Sequence, residues 1–88
     1  MRLDKWLWFA RVFKSRSLAQ GAVEARLVRL DGRVVAKPAQ PVAPGDELEF
    51  PAGRRRVRVV ALAGRRGPAS EARALYEELE PPLAEEGD

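Results

Sequence analysis

Thirteen of the sixteen basic residues in this 88-residue sequence are arginine, and most of them fall in two runs. The first run is Arg2, Lys5, Arg11, Lys14 and Arg16, and the second is Arg54-Arg55-Arg56 with Arg58 close behind. A guanidinium holds its charge in any setting and offers a planar fork that fits phosphate with two hydrogen bonds. The chemistry these residues suit is therefore the grip on a polyanion, with a solvated arginine-rich surface as the alternative. Nucleophilic and metal chemistry has little to work with. The sequence contains neither cysteine nor histidine, which excludes disulfides, thiol nucleophiles, Cys/His zinc sites and every Ser-His or Cys-His triad. It has no GxxxxGK[ST] phosphate loop and no dinucleotide fingerprint. Asp4, Asp31 and Asp46 each suit a structural position: the first turn of a helix, a hairpin turn and a Pro-Gly-Asp turn. Acid–base work by paired carboxylates stays open at this level. The expectation is a non-enzymatic protein with no cofactor and no metal.

The charge is unevenly distributed. Residues 1–66 hold fifteen Lys and Arg against six Asp and Glu, or +9, whereas residues 67–88 hold one Arg against seven acids, or −6. The length suits one small domain, and 45% hydrophobic residues is ordinary for a folded one. The longest apolar runs, Trp6 to Ala10 and Val59 to Ala63, are far shorter than the ~20 residues that span a bilayer. The opening residues lack the basic, apolar and small-residue pattern of a secretion leader, so secretion is not expected. A cytosolic location with no membrane partner is expected.

The elements that must position the cations follow from periodicity. Leu3 to Phe13 carries Leu3, Leu7 and Ala10 at helical spacing. Ser15 or Ser17 then caps a second helix running to about Arg26, and Ser17 with Gln20 has the capping-box spacing. Period two takes over in Leu27 to Leu30 and Arg33 to Ala36, joined by the hairpin dipeptide Asp31-Gly32. Lys37 to Pro44 contains Pro38, Pro41 and Pro44 and reads as an extended edge connection. Glu47 to Phe50 and Arg56 to Ala63 are strands joined through Pro51-Ala52-Gly53, and Arg56 and Arg58 make one face of the second basic. After the Gly64 to Pro68 loop, Ala72, Leu75, Tyr76 and Leu79 predict a helix over about Ala69 to Glu80, with its glutamates facing outward. The order ααββββα is one α+β domain. Residues 83–88 are expected to be a frayed acidic tail.

If the first two helices form a hairpin, Lys14 and Arg16 fall at its bend with Arg11 near, beside the N-terminus of helix two. Trp8 or Phe9 could then stack on an unpaired base, although burial in the core explains them as well. The Arg54-Arg55-Arg56 run tops a β-hairpin, where a phosphate partner would relieve mutual repulsion. Gly64-Arg65-Arg66-Gly67 matches the GXXG clamp of KH domains, but it follows a strand where that clamp joins two helices. A basic turn accounts for it.

The stretch Arg2-Leu3-Asp4-Lys5-Trp6-Leu7-Trp8, then Ala10-Arg11, Lys14-Ser15-Arg16-Ser17-Leu18-Ala19, Asp31-Gly32 and Pro44-Gly45-Asp46, resembles the S4 RNA-binding domain over roughly residues 1–50. Arg66-Gly67-Pro68-Ala69-Ser70-Glu71-Ala72 with Leu75-Tyr76-Glu77-Glu78 resembles the C-terminal part of the ribosome-associated heat-shock protein 15 family. The resemblance also extends to an S4-domain factor of ribosome quality control, which this sequence is nearer in length. It implies an S4-type domain over 1–66, a C-terminal helix over 67–82 and a tail over 83–88. It further implies recognition of ribosomal RNA and peptidyl-tRNA on an obstructed large subunit, with nascent-chain quality-control factors as further partners. Arg2 and Arg16 would be the leading RNA contacts, supported by Lys5, Arg11 and Lys14, with Arg54, Arg55 and Arg56 widening the footprint. The family's heat-shock member continues into a basic extension whose contacts do not transfer here. The sequence departs from the family at the end of helix two, where a glycine before a basic residue is replaced by Ala25-Arg26-Leu27-Val28. Two other functions fit the residues: a general structured-RNA chaperone or assembly factor, and an adaptor that docks a basic protein on the acidic C-terminal helix.

Overall fold

The computed structural model describes residues 1–51 and 54–80. The expected hairpin tip Ala52-Gly53, the end of the expected C-terminal helix at residues 81–82 and the acidic tail lie outside the described residues. The chain forms α1 (Leu3–Phe9), α2 (Arg16–Glu24), β1 (Arg29–Leu30), β2 (Arg33–Val34), β3 (Glu47–Phe50), β4 (Arg55–Val59), α3 (Ala69–Ala72), a 3₁₀ turn (Arg73–Leu75) and β5 (Tyr76–Leu79). The strands make one antiparallel sheet in the order β2-β1-β3-β4-β5. The fold class is α+β, as the sequence predicts.

One face of the sheet and the two N-terminal helices enclose the core. Leu48 and Phe50 of β3 alternate with Glu47 and Glu49, and Val57 and Val59 of β4 alternate with Arg56 and Arg58. The apolar set meets Leu3, Trp6 and Leu7 of α1 and Ala19 and Val23 of α2. The period-two pattern therefore sends the charges to the opposite face. Trp6 is fully buried, and its indole N–H donates to the Ala61 carbonyl at 2.9 Å.

Turn chemistry sets the register. Asp31 and Gly32 have φ of 51° and 85°, the two positive values that a type I′ turn requires. Gly45, at φ 99°, is the third residue of a turn closed by the Asp46 N–H on the Ala43 carbonyl at 3.1 Å. The proline-rich connection docks along the start of α1. The Leu3 and Asp4 N–H groups donate to the carbonyls of Gln40 and Pro38 at 2.8 and 3.1 Å, satisfying donors that a helix start leaves open.

Both helices stop earlier than their apolar spacing suggests, and both stop in the same way. Beyond α1 the Val12 N–H reaches back to Leu7 O, and beyond α2 the Leu27 N–H reaches back to Ala22 O. This is the closure that places the residue after the cap in the left-handed region. Here those residues are Arg11 at φ 60° and Arg26 at φ 63°. Arg26 thus makes a turn that glycine would make without strain, at a cost of about 1 kcal/mol.

The C-terminal segment corrects the sequence reading. The predicted helix over Ala69 to Glu80 is only a four-residue α-turn and a 3₁₀ turn, and Tyr76–Leu79 is a strand. The backbone donors and acceptors on the open edge of β4 outbid helix propensity, pairing Val59 with Tyr76, Arg58 with Glu77 and Val57 with Glu78. Glu77 and Glu78 are correspondingly not an outward acidic helix face. They form ion pairs with Arg58 and Arg55 at 2.7 and 2.9 Å.

Candidate nucleic-acid interface

The first basic run is organised by one buried carboxylate. Asp4, in the first turn of α1, has no solvent exposure. Its oxygens accept from Arg2 Nε at 3.0 Å, Arg2 Nη2 at 3.1 Å, Gln20 Nε2 at 3.1 Å and the Lys5 N–H at 2.8 Å. Arg16 Nε lies 3.6 Å from the same carboxylate, and no hydrogen bond satisfies it among the described residues. Burial alone pushes the Asp4 carboxyl up, but the hydrogen bonds from Arg2, Gln20 and the Lys5 N–H outweigh it and hold the group below the usual carboxylate range. A single negative charge thus gathers two guanidiniums whose side chains remain 46% and 38% exposed. Arg2 keeps Nη1, and Arg16 both Nη atoms, out of the Asp4 contacts. That pair suits one or two phosphates.

Reaching this geometry needs helix starts that lie together, and the predicted hairpin with a basic bend would not supply them. Asp4 of α1 meets Arg16 and Gln20 of α2, while Val12 and Phe13 beyond α1 line a cavity with Ala22 and Leu27 at the end of α2. Starts meet starts and ends meet ends, so Arg2 and Arg16 come together and Arg11 is left at the far end. Ser15, and not Ser17, caps α2 by accepting from the Leu18 N–H at 3.1 Å. Gln20 is thereby free for Asp4.

The other expected contacts divide. Lys5 is half-buried with its ammonium 5.6 Å from the Phe9 ring centre, while Lys14 is exposed in the loop before α2. Arg11 donates from Nε to Gly67 O at 2.9 Å, tying the end of α1 to the 64–67 loop. Arg66 does the same from the other side, donating to Trp8 O at 3.0 Å with its guanidinium 5.3 Å from the Trp8 ring centre. Phe9 is buried, so of the two aromatic candidates for stacking only Trp8 keeps exposure.

The second run is largely neutralised. Arg55 makes a bidentate pair with Glu78, both contacts at 2.9 Å, and that hydrogen bonding raises its pKa. Arg56 Nε lies 3.5 Å from Glu47. Arg58 bridges Glu47 at 3.2 Å and Glu77 at 2.7 Å, making a row of acid, base and acid across three strands. Arg54 is exposed and has no ion pair among the described residues. Sequence reading missed the hub role of Asp4 and Gln20 and the acids that cover the sheet arginines. Only the matching alternation of Glu47/Glu49 with Arg56/Arg58 hinted at the latter.

Residues 1–48 match the family model of the S4 domain. The trimeric structure of Vibrio cholerae heat shock protein 15 superposes with a TM-score of 0.82 at 38% identity, covering 90% of this chain and 81% of that one. The chain belongs to the S4-domain heat shock protein 15 family. Heat shock protein 15 of Escherichia coli (strain K12) is 44% identical over 80 residues, which are 89% of this chain and 59% of that protein. The Aeromonas salmonicida homolog is 41% identical over 85 residues, 94% of this chain and 64% of its own length. The chain therefore spans about three-fifths of the curated heat shock protein 15 sequences it matches. The Asp4-centred cation pair lies entirely within the S4 match, whereas α3 and β5 lie beyond it. Among the described residues no helix is long and apolar enough to cross a membrane, and no cluster of acids is placed to hold a metal ion.

Proposed function

We propose that this protein binds structured RNA without catalysing a reaction on it, and that its target is the large ribosomal subunit carrying a stalled peptidyl-tRNA in the cytoplasm. The observation that carries the RNA reading is the Arg2–Asp4–Arg16 arrangement. Its two cations are preorganised by a buried carboxylate instead of being paired one-to-one with surface acids. Lys5 and Lys14 supplement the grip, and Arg11 adds charge at the far end of α1. Affinity of this kind is electrostatic and shape-based, so it falls steeply with salt. Membership of the heat shock protein 15 family supports the ribosomal target.

Sucrose-gradient sedimentation from cells with stalled ribosomes tests the proposal. The wild-type protein is expected in the free large-subunit peak together with peptidyl-tRNA, and the Arg2→Ala/Arg16→Ala variant at the top of the gradient. Wild type at the top, despite tight binding to unrelated hairpin RNA in vitro, would replace the ribosomal target with a general RNA-chaperone role.

A further inference from the structure

At the end of the helix pair opposite Asp4, Val12, Phe13, Ala22, Leu27, Phe50, Pro51 and Arg55 line an open cavity of about 240 Å³. We propose that this slot receives one unpaired nucleobase of the bound RNA, a site that rests on the RNA reading above and adds to it a preference for unpaired nucleotides.

The walls suit a flat ring. Phe13 and Phe50 have ring centres 6.3 Å apart and tilted by 48°. The Arg55 guanidinium lies 5.5 Å from the Phe50 ring centre and 5.6 Å from that of Tyr76. Because Glu78 holds its fork in two hydrogen bonds, Arg55 contributes a fixed planar surface more than a free charge. The volume is below the ~300–1,000 Å³ usual for cofactor pockets, which fits a single ring better than a whole cofactor.

Cations next in sequence to the lining residues supply the charge complementarity. Lys14 follows Phe13, Arg26 precedes Leu27, and Arg54 precedes Arg55 with its N–H on Pro51 O at 3.1 Å. All three cations are exposed, and none of their side chains has a hydrogen bond or ion pair with another described residue. Arg26 stands there in the left-handed conformation, at φ 63°, where glycine would be less strained. An apolar slot with the Phe13 ring and the Arg55 guanidinium in its lining, and with exposed cations next in sequence to three of its residues, matches a nucleotide whose base enters while its phosphates stay outside. An acidic peptide with one apolar side chain is the competing occupant. It has less use for the flat walls.

The test uses two stem-loop RNAs of equal length and charge, one with a single-stranded adenosine loop and one with the same loop abasic. Binding of the full-length protein is followed by fluorescence anisotropy, and the Val12 and Leu27 methyl resonances report on the slot. The intact loop is expected to bind about tenfold tighter than the abasic one, the order of one stacked base, and to shift both methyls. Leu27→Ser, at a position already 41% exposed, should abolish the difference while leaving the slope of log affinity against log salt unchanged. Arg26→Ala should lower that slope by about 0.7, the value for one single-stranded phosphate contact. Equal binding of the two loops with unmoved methyls overturns the base site while leaving the Arg2/Arg16 grip intact. Methyl shifts produced by a synthetic peptide of residues 81–88, but not by the intact loop, overturn it in favour of a peptide groove. Failure of both RNAs to bind, with no effect of Arg2→Ala/Arg16→Ala, removes the RNA reading itself.

Discussion

The two arginine runs differ less in charge than in what surrounds the charge. Around Asp4, one carboxylate serves two guanidiniums and a glutamine, so the cluster keeps a surplus of positive charge directed outward. On the sheet, Glu47, Glu77 and Glu78 cover Arg55, Arg56 and Arg58 almost one for one. The same residue type is thus gathered with donors to spare in one place and engaged in cross-strand pairs in the other. A count of basic residues does not distinguish them. The placement of the acids does.

The largest break in that comparison should come from Asp4→Asn. Counting charges, the variant is more basic and should bind RNA more tightly. If Asp4 positions Arg2 and Arg16, it should instead bind at least tenfold more weakly, as anisotropy with a hairpin RNA will show. It should also lose about 2 kcal/mol of stability in urea titration, because a buried hub then leaves two cations without their partner. The pH dependence carries a matching sign. The folded carboxyl titrates below its unfolded value of about 3.9, so its stabilisation is complete above that pH and is lost as pH falls through the folded pKa. Acid unfolding below about pH 4 should therefore be shallower in Asp4→Asn than in wild type.

Arg16→Ala should come next. Its affinity should fall about tenfold, and its salt slope by about 0.7 to 0.9, as expected for one lost phosphate contact. In the Asp4→Asn background the same substitution should cost much less, since Arg16 is already misplaced. Arg56→Ala sharpens the contrast from the other side. With Glu47 already beside it, its loss should change RNA affinity by no more than about twofold. A loss as large as that of Arg16→Ala would mean that RNA displaces the acids of the sheet. The smallest effect should be that of Arg26→Gly, which relieves a left-handed arginine and should stabilise the fold by about 0.5–1 kcal/mol in thermal unfolding.

Much of this architecture is legible from local signals. Asp31-Gly32, the alternation in Glu47 to Phe50 and the serine before α2 act within a few residues, and the structure follows them. The candidate site was half legible, because Arg2 and Arg16 stand out as cations and are marked by the S4 resemblance. What gathers them was hidden, since the Asp4–Gln20 hydrogen bond joins residues sixteen positions apart and only the packing of the helices creates it. β5 was hidden for a related reason. Ala72, Leu75, Tyr76 and Leu79 satisfy helical spacing, but the unpaired edge of β4 offers backbone partners that a window on residues 69–80 does not contain. Two of the acids judged to face solvent, Glu77 and Glu78, meet Arg58 and Arg55 across that edge.

The indole of Trp6 donates to a carbonyl fifty-five positions downstream, and Arg11 and Arg66 clasp the end of α1 and the 64–67 loop from opposite sides. The stretch shared with other S4 proteins is therefore not a portable cassette. A fragment cut at its edge would retain every motif and yet expose the underside of its first helix. It would also lack β4, against which β3 closes the core. During synthesis Arg2, Asp4 and Arg16 are made before the later strands and stay without a finished core until those arrive. An unfinished copy thus lacks the packing that gathers Arg2 and Arg16 about Asp4.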